Sequence, residues 1–102
     1  MEVNMNNKFT ENEINALMVI VGKANKKDRT VGLLQPIDLG FNNNTKEGRR
    51  SFKKLLGSLN QKDCFDKLHF QDTCKCIVDE IKIKDDIFEI ITEINDCLLY
   101  TS

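Results

Sequence analysis

Apolar residues along this chain fall into three stretches with helical spacing and two with alternating spacing. The clearest is residues 45–61, where Phe52, Leu55, Leu56 and Leu59 recur at i, i+3, i+4 and i+7. At about 100° per residue they gather into one core-facing stripe, so the spacing predicts a helix. Thr45 is a suitable N-cap, and Glu47 sits where the helix dipole favours a negative charge. Lys46, Arg50, Lys53 and Lys54 project opposite the stripe, a face that would suit a phosphate backbone or that is an ordinary solvated helix back, since Lys and Arg commonly cover exposed helices. Gly57 lies inside that basic face, where a missing side chain would let another surface come close, at a cost of roughly 1 kcal/mol relative to Ala.

An earlier helix opens on a capping box, Thr10 with Glu13, and Phe9 before the cap can staple against Ile14. Its stripe is Ile14, Leu17, Met18 and Val21, and it should end within 22–25. Between the two helices, Pro36 suits the start of a brief helical segment over 36–39, which Gly40 closes before a turn at 42–44. After residue 61 the period changes. Leu68 and Phe70 alternate on one strand, and Ile77, Ile81 and Ile83 on a second, so a hairpin joined through 71–76 is predicted. Ile87, Ile90, Ile91 and Ile94 return to helical spacing behind Asp85 or Asp86 as cap. The β-branched content of that stretch keeps a strand reading open.

Length and composition place these elements in one domain. The chain has 102 residues, 40% hydrophobic and 30% charged, as expected of a soluble globular protein. No apolar run approaches the roughly 20 residues that span a bilayer, and no export signal is read, so the expected location is cytoplasmic. Residues 1–8 are polar and expected to be disordered, leaving a single domain over 9–96. The last six residues, CLLYTS at 97–102, are similar to what a widely used transposon-end sequencing adapter encodes in one frame. They are expected to be an adapter-derived tail, Cys97 included, that truncates the natural chain. The excess of Lys, Ile, Asn and Asp points to an AT-rich genome.

The net charge of −1 conceals an asymmetry. Residues 23–62 hold ten Lys/Arg against three Asp/Glu, whereas 63–102 hold four against ten. A basic middle beside an acidic tail argues for a charged partner, or for the two regions covering each other.

Two constellations could carry chemistry. Cys64, His69, Cys74 and Cys76 form C-x4-H-x4-C-x-C, four soft ligands that one structural zinc could take if the hairpin brings them together. Buried thiols or a disulfide are the alternatives. Enzymatic signatures are lacking: there is no P-loop, GxSxG or HExxH, and Asp85 with Asp86 reads as a cap, so no catalytic residue is expected.

Helix, short helix, turn, basic helix, hairpin and a further helix together resemble the winged-helix DNA-binding domain of small bacterial and phage regulators. The resemblance covers about 9–84 and is carried by the order of elements and by GRRSFKKLLGSLNQKDCFDKLHF at 48–70. The sequence departs where those regulators usually have Gly before the strand, here Asp63-Cys64, and its wing is acidic. The resemblance implies an α+β winged helix-turn-helix fold, with three N-terminal helices, a β-hairpin wing and a C-terminal helix. It implies a DNA-binding transcriptional regulator from a phage or mobile element of an AT-rich bacterium. Lys46, Arg49, Arg50, Lys53 and Lys54 would then contact phosphates and base edges of double-stranded DNA, with Asn43 and Asn44 at the helix entrance. A homodimer through the C-terminal helix is a further expectation. The alternative is an inhibitor of the anti-CRISPR type, carrying the structural zinc. Its Asp72, Asp79, Glu80, Asp85, Asp86 and Glu89 would block the nucleic-acid groove of a CRISPR effector nuclease.

Overall fold

A computed structural model of the chain describes residues 8–101, with side chains as far as Cys97. The expected disordered N-terminus, 1–8, lies outside these residues apart from Lys8. The side chains of the expected adapter-derived tail lie outside them apart from Cys97.

Helix α1 spans Glu11–Lys23 and begins with the full capping box. The Glu13 amide donates to Thr10 Oγ1 at 3.1 Å, and the Thr10 amide donates to Glu13 Oε1 at 2.8 Å. A two-residue strand, β1 (Thr30–Val31), follows, then a 3-10 turn at Pro36–Leu39 and the long helix α2 (Lys46–Gln61). Strands β2 (Phe65–Phe70) and β3 (Val78–Ile83) form a hairpin, and α3 (Asp85–Thr101) completes the chain. The sheet is antiparallel in the order β1-β3-β2.

This arrangement corrects the expected winged helix-turn-helix of three N-terminal helices before a hairpin wing. The α+β class holds, but only two α-helices precede the hairpin, and a strand lies between them. Two physical reasons account for it. The four residues Pro36–Leu39, closed by Gly40 turning at φ 86°, are too few for an α-helix and settle as one 3-10 turn. Thr30 and Val31, too short a run to show a period, pair with Lys82 and Ile81 along the open edge of β3.

Two irregularities reset which hairpin residues face inward. Phe65 pairs with Ile83 but Lys67 with Lys82, so Asp66 is an extra residue in β2. Likewise His69 pairs with Glu80 and Phe70 with Val78, making Asp79 the extra residue in β3. Each bulge turns residues three apart onto one face. Val78, Ile81 and Ile83 are therefore fully buried, with Val78 in the place the simple alternation assigns to Ile77.

The core gathers Leu17 and Ile20 of α1, Phe52, Leu56 and Leu59 of α2, the inward strand residues, Leu34, and Ile87 and Ile91 of α3. The helical reading of the last stretch is the one observed, with Asp85 and Asp86 in its first turn. Among the described residues, no helix is long and apolar enough to cross a membrane.

Candidate nucleic-acid interface

Helix α2 is fixed at both ends, and this leaves its outer face constrained and open. At its start, Thr45 Oγ1 accepts from the Gly48 amide at 3.0 Å. A Cβ on Gly48 would run into the backbone of Asn42, so glycine is what lets the 42–44 turn lie against the first turn of the helix. Asn43 belongs to the same joint. Its Oδ1 accepts from the Ile37 amide at 2.8 Å and its Nδ2 donates to Gln35 Oε1 at 3.2 Å. Arg49 Nη1 donates to the Asn43 carbonyl at 3.0 Å. Asn43 and Arg49 thus brace the helix entrance, while Asn44 remains exposed beside it.

At the other end, Asp63 follows α2 with φ 65°, the left-handed conformation in which a helix commonly ends. Aspartate tolerates it better than most residues, which explains how the chain dispenses with the glycine expected there. Lys84 holds the Asp63 carboxylate at 2.7 Å. The last turn is also clamped to α1. Ser58 Oγ and Lys62 Nζ each donate to the Glu13 carboxylate at 2.6 Å, and that side chain is only 3% exposed. Burial pushes the Glu13 carboxyl up, but Lys62, Ser58 and the Thr10 amide outweigh it and hold it at about 2. The capping box marks Glu13 as local; its distant partners show in the sequence only as a polar i, i+4 pair, Ser58 and Lys62, beside the apolar stripe.

Between these anchors Lys46, Arg50, Lys53 and Lys54 are exposed. Among the described residues, none of the four is in an ion pair, whereas Lys23, Arg29, Lys62, Lys67 and Lys84 each are. Lys46, Arg50, Lys53 and Gly57, at spacings of four, three and four, form an axial stripe about 16 Å long at 1.5 Å per residue. Beside it lies a cavity of about 280 Å³ lined by Lys46, Arg49, Arg50, Lys53 and, from the hairpin turn, Cys76. Its lining includes four cations and no carboxylate, which makes it a place for an anion.

The hairpin is charged differently. Lys67 meets Glu80 at 2.6 Å, and His69 Nδ1 meets Asp79 at 2.5 Å with Asp72 3.9 Å from the other ring nitrogen. The hydrogen bond to Asp79, backed by its charge, raises the His69 pKa above the ordinary histidine value.

The four residues expected to share a zinc are not brought together. Cys64 is fully buried before β2, and burial pushes its thiol up to about 11. Cys74 and Cys76 are joined to each other as a disulfide beyond the opposite end of β2. A six-residue strand at about 3.3 Å per residue separates them from Cys64 by about 20 Å. His69 lies between, engaged with Asp79. Among the described residues, no group of three or more His, Cys, Asp or Glu is placed to hold a metal ion.

No known family model, curated protein or solved structure matches this chain.

Proposed function

We propose that the protein binds double-stranded DNA through the outer face of α2 and acts there as a regulator. The observation that carries this reading is a set of exposed cations, Lys46, Arg50, Lys53 and Lys54, none of which pairs with a carboxylate among the described residues. Like charges crowded on one helix face repel, and a phosphate backbone relieves that repulsion while releasing its counterions. A helix about 10–12 Å across suits a major groove about 12 Å wide, and from it Lys46, Arg50, Lys53 and Lys54 can each meet a phosphate, with Arg50 and Lys53 also within reach of base edges. Arg49 and Asn43 act indirectly, by fixing the angle at which α2 leaves its preceding turn.

The inhibitor reading draws on the acidic residues instead. Within the hairpin these are largely answered by the chain itself, Glu80 by Lys67 and Asp79 by His69, so less uncompensated negative charge is offered to a partner.

The test is fluorescence anisotropy with a labelled duplex of about 20 base pairs at roughly 50 mM salt. Binding in the micromolar range or tighter is expected, since non-specific contacts alone commonly reach about 10⁻⁴–10⁻⁶ M. No binding at about 100 μM protein would overturn the reading, the ceiling of that same range.

A further inference from the structure

Gly57 is a glycine that the fold itself does not require. Gly48 is explained by the backbone of Asn42 and Gly40 by its positive φ. Gly57 has neither explanation, and in this it is like Gly22 and Gly32: it lies inside α2, in ordinary helical geometry, and a Cβ built on it would meet nothing within 4 Å. Alanine would fit and would favour the helix, so within the protein the glycine is a local fault. Its position is specific. It continues the stripe of Lys46, Arg50 and Lys53, with Lys54 alongside, so the bare main chain lies at the end of the unpaired cations.

We infer that Gly57 is the point of closest approach between α2 and the bound duplex, the DNA resting against the half-buried helix backbone there. This rests on the DNA-binding reading and adds to it where the contact is tightest. The backbone cylinder of a helix has a radius of about 2.3 Å, against 5–6 Å with side chains, so a partner at Gly57 can come roughly 3 Å nearer than elsewhere on the face. Long lysine and arginine side chains tolerate a range of separations, but a backbone contact does not. The cations therefore attract the duplex and the glycine sets its depth.

The test is duplex binding by the full chain carrying Gly57→Ala, Gly57→Gln or, as a control, Ser51→Gln, with thermal melts of each. Ser51 is exposed on α2 but about 120° around the helix from Gly57. Gly57→Ala is expected to melt about 3–6 °C higher than the wild type, because it removes a helix-interior glycine without a clash. It should nonetheless bind the duplex about tenfold more weakly, with Gly57→Gln weaker still and Ser51→Gln within about twofold of wild type; tenfold corresponds to one lost contact of ordinary strength. Gly57→Ala binding within twofold of a wild type that does bind would overturn this inference and leave the DNA-binding reading standing. An equal loss in Ser51→Gln would also overturn it, because any added bulk would then suffice. A wild type that binds no duplex removes both.

Discussion

At the C-terminal end of α2, Lys62 reaches a buried carboxylate that also takes bonds from Ser58 and the Thr10 amide. Along the outer face of the same helix, Lys46, Arg50, Lys53 and Lys54 meet no carboxylate among the described residues. The chemistry of the side chains is alike, and the difference lies in what answers them. An answered charge is part of the fold, and its loss strands a partner in a desolvated site. An unanswered charge contributes little to stability, and its loss is felt only when something external binds.

The largest expected effect lies on the answered side. Lys62→Met leaves the Glu13 carboxylate without its cation and should destabilise by about 2–3 kcal/mol, below the usual cost for fully buried pairs because Lys62 is 30% exposed. The melting temperature should drop by about 10 °C or more. Arg50→Ala with Lys54→Ala should leave it within a few degrees. Equal losses in the two variants would erase the distinction between the two ends.

Acid should reveal the same clamp. The Glu13 carboxyl titrates at about 2 in the folded chain, against 4.5 ordinarily. A depressed folded pKa means that its contribution is complete above about pH 5 and disappears as pH falls toward 2, amounting to about 3 kcal/mol over that window. Denaturant melts at pH 5 and pH 2.5 measure it, and Glu13→Gln should show much less of the decline.

A smaller effect concerns the hairpin. His69 has a raised pKa through Asp79, so its contribution is present at low pH and is lost as pH rises through the folded value. An NMR titration should show Asp79→Asn returning His69 toward the ordinary histidine range, with duplex affinity nearly unchanged. Loss of binding in that variant would place the hairpin in the interface and weaken the contrast with α2.

The zinc expectation reduces to metal analysis of natively purified protein. Metal content should not depend on Cys64, which Cys64→Ala tests; a stoichiometric zinc lost in that variant would contradict the separation of Cys64 from the hairpin turn.

How much of this the sequence disclosed follows from the range of each interaction. The starts of α1 and α2 were legible, because Thr10 with Glu13 and Thr45 with Gly48 are contacts within one turn. The basic face was legible because its cations share one helix period. Strand β1 was not, since two residues have no readable period and pair only because β3 offers an edge 50 residues away. The bulge at Asp79 exchanged Ile77 for Val78 in the core, and a strict alternation cannot predict an extra residue that shows only in the pairing with the other strand. Asn43 looked like a surface contact because its partners Gln35 and Ile37 come from across the turn. Lys62 and Glu13 lie 49 residues apart, and Cys64 was set among the ligands only because spacing along the chain says nothing about which end of a strand a residue occupies.

The measurement that tests the central claim most directly is duplex affinity as a function of salt for the wild type and for Arg50→Ala with Lys54→Ala. If the unanswered cations of α2 engage phosphates, log K against log salt should fall with a slope of about −3 to −4 for the wild type, near −0.9 for each of four contacts. The double variant should lose about 2 from the magnitude of that slope. Binding whose slope is near zero, or identical in the two proteins, would contradict the account.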